Sequence, residues 1–355
     1  MSINPVSNLY YNSKEKIELN LVSILDEDRF GLFKKICSYL KPLDMQAFLS
    51  TCKTLRMTHK NFEENHEIGH KALMTRIFFN SFGNKSIEDL SNDIINFCKE
   101  GNLPELKELL QSLKICNKFH EISVKTLDEA FSFACMYTHA KIVQLFIKSG
   151  RFHEISLDCL NQSFGLWAPR DDGTTIQTLI NSDRFHEISQ KSLGDALDHA
   201  SINGHPGVVE TIINSTRACE ISVKALGKAL KNAAGNCYMG KNTHLESLRY
   251  LIRSPRYQEI SPDGLGKALE EACRNWRKDA VQELEQSTRF SEISPKYLNE
   301  SFYWSLRNFE ILSAKVFIKS TRFHEISLDN LREAYRLASS HPELMEALKQ
   351  SGRTI

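Results

Sequence analysis

Only one short stretch of this chain matches a catalytic signature in residue type and spacing: His66-Glu67-Ile68-Gly69-His70. Two histidines four apart stand one helical turn from each other and can both ligate Zn²⁺. A glutamate between them can serve as general base toward a metal-bound water. A zinc protease is therefore the first chemistry to weigh. The longer form of the motif fails, because Leu73 and Arg76 stand where H-x-x-G-x-x-H needs Gly and His. Only a short helical stretch precedes the match, which leaves no room for the sheet that flanks such a helix. The phrase His-Glu-Ile also recurs at His120, His153, His186 and His324. The match at 66 thus reads as one more copy of a repeated phrase, with Leu73 and Ile77 at the helix positions that the repeat uses. No nucleophile constellation, phosphate-binding glycine loop or paired-carboxylate site stands out elsewhere. The expectation is a chain that catalyses nothing and needs neither metal nor cofactor.

The repeated phrase leads to the architecture. Glu-Ile-Ser begins at Glu121, Glu154, Glu187, Glu220, Glu259, Glu292 and Glu325, at intervals of 33, 33, 33, 39, 33 and 33 residues. The long interval marks a six-residue insertion, about Tyr238 to Thr243. Three positions before each mark stands a basic residue: Lys118, Arg151, Arg184, Arg217, Arg256, Arg289 and Arg322. An aromatic follows it in every repeat but one, where Ala218 takes the place. A shared period of this length is the signature of a repeat array. The Ser of each mark suits a helix N-cap, its hydroxyl accepting a free N–H of the first turn. Pro262 and Pro295 stand directly after that Ser, at the first helical position, where the missing N–H has no partner to lose.

Counted from the Glu of each mark, apolar or small residues fall at positions 7, 10, 11 and 14. In the third repeat these are Leu193, Ala196, Leu197 and Ala200, one face of a helix. A second short helix then carries Val208, Val209, Ile212 and Ile213. One such pair cannot bury its apolar face, whereas stacked neighbours bury it jointly. Gly194, Gly227 and Gly266 recur at position 8 and are expected to let adjacent helices approach. Trp167 falls at core position 14 and is expected to be structural. The Arg/Glu marks should form a charge ladder along one edge, structural rather than a binding stripe.

At 355 residues the chain exceeds what one compact core needs, and its formal net charge of +1 lacks the basic excess of a nucleic-acid binder. Its nine cysteines include no C-x-x-C pair. That usage suits a reducing compartment, with residues such as Cys135 and Cys159 serving as small buried hydrophobes. The first twenty residues lack the basic and apolar regions of a secretory signal, and no apolar run approaches the roughly 18 residues of a membrane span. A cytoplasmic protein is expected, with neither nucleic acid nor membrane as partner.

The 33-residue period and the helix-pair pattern resemble the ankyrin family. The likeness is clearest at Asn203-Gly204-His205 and the VVETII that follows Gly207, and one further pair is expected ahead of the first mark, around Phe97 to Leu110. The family's T-P-L-H tetrapeptide is missing, replaced by phrases such as Lys125-Thr126-Leu127-Asp128. A connecting finger shorter than the usual β-hairpin is therefore expected.

Residues 28–56 resemble an F-box. Leu32, Phe33, Ile36 and Leu40 form one helical stripe, Pro42 interrupts it, and Met45, Phe48, Leu49 and Cys52 form another. The family's usual Leu-Pro would fall on Asp28-Arg29. The resemblance implies docking onto a Skp-family adaptor of a cullin ubiquitin ligase through Leu32, Ile36, Tyr39, Leu40, Pro42 and Met45. A helical hairpin that merely caps the solenoid is the alternative.

The expected fold is all-α: an ankyrin-like helix-pair solenoid at 93–355 with a small helical F-box-like domain at 21–62. A flexible tail (1–20) precedes that domain and a helical connector (63–92) follows it. This arrangement resembles the adaptors that intracellular bacteria and large viruses send into a host cytoplasm, and implies that the repeats hold a target protein. Phe133, Tyr137, Trp276, Tyr303 and Trp304 lie off the core face or in turns, and aromatic anchors dominate interface energetics. They are the expected target contacts, packing between repeats being the alternative for each.

Overall fold

The computed structural model of the chain describes residues 85–354, apart from 116, 171, 237–241 and 309. The expected head with its six adaptor-facing residues, the tail, the His66–His70 motif and most of the connector lie outside the described residues. Among the described residues every regular element is helical and no strand occurs. They fall into two compact units. Lys85, Ser86 and Glu108–His120 belong to one, and Ile87–Lys107 with Glu121–Ile355 form the other.

The helices run α1 (Ile87–Glu100), α2 (Leu103–Ile115), α3 (Val124–Met136), α4 (Ala140–Ile147), α5 (Leu157–Gln162) and α6 (Thr174–Ile180). There follow α7 (Gln190–Asn203), α8 (Pro206–Ile213), α9 (Val223–Gly235), α10 (Thr243–Arg253) and α11 (Pro262–Arg274). The last are α12 (Lys278–Glu285), α13 (Pro295–Arg307), α14 (Ile311–Lys319), α15 (Leu328–Ala338) and α16 (Pro342–Ser351). In the larger unit the odd-numbered helices pack one after the next from α1 to α15, with α7 meeting the turn Ser163–Trp167 that continues α5 in place of α5 itself. The even-numbered helices from α4 to α16 do the same, giving two layers. The fold is a helical-repeat stack. Two helices, α1 and α2, stand ahead of the first mark where a pair was expected, α1 starting at Ile87 and most of α2 belonging to the smaller unit. The insertion falls between α9 and α10, the two helices of the fourth repeat.

Burial follows the sequence pattern. Leu193, Ala196, Leu197 and Ala200 are fully buried, as are Leu127, Ala130, Phe131 and Ala134 two repeats earlier in the array. The aromatics of the marks (Phe152, Phe185, Tyr257, Phe290 and Phe323) also lie in the core. Ser123, Ser156, Ser189, Ser222, Ser261 and Ser327 each accept the N–H three residues on, while Ser294 occupies the cap without such a bond. Position 8 reaches across to the next cap when it is polar. The Oδ1 atoms of Asp128, Asn161 and Asn299 accept the backbone N–H of Ser156, Ser189 and Ser327 at 2.9, 2.7 and 2.7 Å. Where position 8 is Gly the helices close in. A Cβ on Gly194 would lie 3.0 Å from that of Ala225, and one on Gly266 would lie 2.2 Å from the Tyr297 ring. At Gly227 the nearest atom is 3.8 Å away, so close approach is no reason for that glycine.

Trp167 departs from its expected place. After α5 the first helix of the second repeat continues as one π-type turn, Ser163–Trp167, with Ala168 N–H bonded to Ser163 O at 2.9 Å. Such a turn inserts one residue into the helical register. Ala168 therefore fills the layer, fully buried, and Trp167 is pushed to the half-exposed flank with the Arg170 guanidinium 4.7 Å over its ring.

Each connection between pairs is a single 3₁₀ turn over the mark, such as Phe185–Glu187, in place of a strand hairpin. The arginine before the mark explains how so short a turn holds. Arg184 donates Nε and Nη2 to the two carboxylate oxygens of Glu187 at 3.0 and 2.6 Å. Its Nη1 donates to Phe152 O and Ile155 O of the preceding repeat, both at 2.7 Å, and the guanidinium lies 5.4 Å from the Phe152 ring centre. Arg322 repeats this on Glu325, Phe290 O and Ile293 O, and Arg151, Arg217, Arg256 and Arg289 do so with one or two carbonyls each. The ladder is structural, as expected of the Arg/Glu marks. Its rungs, however, are forked pairs within one mark, and the link between repeats is guanidinium to carbonyl. Every Glu of a fork (154, 187, 220, 259, 292 and 325) is held below the ordinary carboxylate value by its arginine's hydrogen bonds.

Candidate protein-binding surface

The ladder commits the mark edge to holding the stack together. The opposite ends of the first-layer helices, with the turns into the second layer, are differently built. All five aromatics proposed for target contact lie there. Phe133, near the end of α3, is half-buried, stacks on Tyr137 at 6.2 Å between ring centres, and carries the Lys99 ammonium 5.9 Å above its ring. Tyr137, directly after α3, is exposed and stacks in turn on His139 at 6.3 Å.

The second group lies five repeats further along. Tyr303 and Trp304 sit on the last turns of α13, edge to face at 5.6 Å. Tyr303 is exposed, whereas Trp304 is half-buried beneath the guanidinium of Arg274, 4.8 Å over its ring. Arg274 also donates to Glu270 at 2.5 Å, so its charge is spent locally. The indole Nε1–H of Trp304 is buried without a hydrogen-bond partner.

Trp276, in the turn between α11 and α12, is 64% exposed, the most of any large hydrophobic side chain among the described residues. Its backbone is left-handed, φ +64°. The matching turns use glycine at this point, Gly101 (φ +75°) and Gly204 (φ +66°), and once Thr138 (φ +59°). An L-residue with a Cβ loses about 1–2 kcal/mol there, and a bulky one is an outlier. The sequence flags Trp276 as an exposed aromatic; it gives no sign of the strain.

Three cations flank this group. Arg277, Lys278 and Arg307 make no ion pair among the described residues, and the buried Nε–H of Arg277 lacks a partner. Burial pushes the Arg277 guanidinium below its ordinary value, Asp279 opposing this. Tyr303 and Arg307 are four apart on α13 and share a face.

No cluster of potential metal ligands occurs among the described residues. Cys98, Cys135, Cys159 and Cys273 are buried, and burial pushes the Cys159 thiol up to about 11, so the buried cysteines act as packing groups. Two clefts of about 420 Å³ open elsewhere. One lies between α14 and α16 beside Phe323 and Arg353, the other between α6 and α8 beside Gln177 and Glu210; neither contains any of the five aromatics. No helix among the described residues is long and apolar enough to cross a membrane. Compared with known proteins, the chain matches no family model, no curated protein and no solved structure.

Proposed function

We propose that the chain is a substrate adaptor whose ankyrin-like repeats hold a target protein while its F-box-like head engages a Skp-family adaptor and, through it, a cullin ubiquitin ligase. One observation carries the binding half. One edge of the stack is consumed in stitching repeats together, while the other presents exposed aromatics with unpaired cations, the composition of interface anchors. The ligase half rests on the stripe Leu32, Ile36, Tyr39, Leu40, Pro42 and Met45, which a two-helix hairpin cannot fully bury by itself. Phe133, Tyr137, Trp276, Tyr303 and Trp304 are the target contacts of this reading. Immobilised Skp-family adaptor should retain the purified full-length chain. If it passes through unretained, the head is a cap and the protein is a repeat scaffold with no ubiquitin connection.

A further inference from the structure

Trp276 carries two costs that the equivalent turns do not combine. Its backbone occupies a region that glycine takes in two of those turns and Thr138 in a third, and its indole faces water. Local strain of this kind persists where the surroundings enforce it, and it gathers at functional positions. Nothing in the fold demands an indole here, since Gly101 and Gly204 make the same turn. The side chain therefore serves something outside the chain.

Resting on the protein-binding reading above, we propose that Trp276 and Tyr303, flanked by Arg277, Lys278 and Arg307, form the hot spot of target recognition, and that they fit a folded partner presenting an apolar recess rimmed by carboxylates. The shape sets the first half of that chemistry. The aromatics project from a turn and a helix end, Trp276 and Tyr303 both exposed. A projecting anchor needs a recess to enter, which a folded surface supplies and an extended peptide does not. Charge sets the second half. Most marks neutralise their arginine within a fork, yet these three cations form no ion pair among the described residues, Asp279 and Glu333 acting on Arg277 and Arg307 only from a distance. Acidic groups on a partner would complete them and steer its approach. Tyr137, beside Thr138 in a turn with the same left-handed backbone, is stacked between Phe133 and His139 instead of projecting alone, and so is placed outside the hot spot.

The test begins with Trp276→Gly, which should leave the melting temperature unchanged or a few degrees higher by releasing the strain. A drop of more than about 4 °C would mark the indole as a packing group and overturn the proposal. Binders to the full-length protein are then selected from a displayed library of one small folded domain with a randomised face. They are titrated against Trp276→Ala, against Arg277→Glu with Arg307→Glu, and against Phe133→Ala with Tyr137→Ala. Most binders should weaken about thirtyfold or more on the first two, carry Asp or Glu around an apolar recess, and lose affinity as salt rises. Binders that ignore the first two variants but fail on the third would sink this assignment and leave the scaffold reading standing. Indifference to all three would remove both.

Discussion

Replacing Arg184 by alanine should be among the most damaging single changes on the edge of the stack. The substitution removes a forked pair to Glu187 and two bonds, at 2.7 Å each, to carbonyls of the preceding repeat. The arginine side chain is 8% exposed and its glutamate 29%. Breaking a buried pair from one side costs about 3–5 kcal/mol. Glu187 keeps some access to water, which places the loss at the lower end, about 3 kcal/mol, with two orphaned carbonyls as its main source. At roughly 2 °C per kcal/mol for a domain of this size, the melting temperature should fall by about 6 °C. Arg184→Lys keeps the charge but cannot fork, so it should fall between. Arg336 forms the same i,i+3 pair with Glu333, yet both side chains are exposed and it reaches no neighbouring carbonyl. Arg336→Ala should therefore shift nothing measurable. The assay is thermal melting by circular dichroism, with amide exchange over α5 to α7 to localise the damage. A melting temperature for Arg184→Ala within about 2 °C of wild type would refute the stapling argument, as would an equal loss for Arg336→Ala.

Two further expectations concern stability. Gly266→Ala places a Cβ against the Tyr297 ring and should cost about 1–3 kcal/mol, while Gly227→Ala meets nothing closer than 3.8 Å and should gain up to about 1 kcal/mol from helix propensity. Denaturant midpoints moving in the same direction would contradict the packing account. The six fork glutamates have folded values below their ordinary 4.5, so their contribution is complete above that pH and is lost as pH falls through the depressed values. Denaturant midpoints should be flat from about pH 7 to 5 and drop below about 4.5, less steeply in Arg184→Ala; a rise on acidification would oppose this.

The stack was legible because its determinants are local and recur. A Ser cap, a four-position apolar face and a short second helix repeat often enough that chance is excluded, and the described helices follow them. What escaped depends on contacts between repeats or on backbone geometry. Arg353 closes the ladder, donating to Phe323 O at 2.6 Å and Ile326 O at 3.0 Å over the Phe323 ring. It stands 31 residues after Arg322 with no Glu-Ile-Ser behind it, so the period does not find it. The π-type turn that displaces Trp167 has no composition of its own. Position 8 looked like a glycine position, although Asp128, Asn161 and Asn299 show that it is a bridge wherever a side chain fits. Of the binding surface, the aromatic residue types were visible, but neither the left-handed backbone of Trp276 nor the unpaired cations beside it could be read from spacing.

Whether the chain joins a target to a ubiquitin ligase can be decided by a calorimetric titration. Purified Skp-family adaptor is added to the full-length chain and to Leu40→Ala with Pro42→Ala, circular dichroism confirming that the repeats stay folded. Wild type should bind saturably at micromolar adaptor or below. The double variant should bind about thirtyfold more weakly, the usual effect of truncating a central anchor. Wild type that takes up no adaptor, or a double variant that binds as tightly, would contradict the proposal.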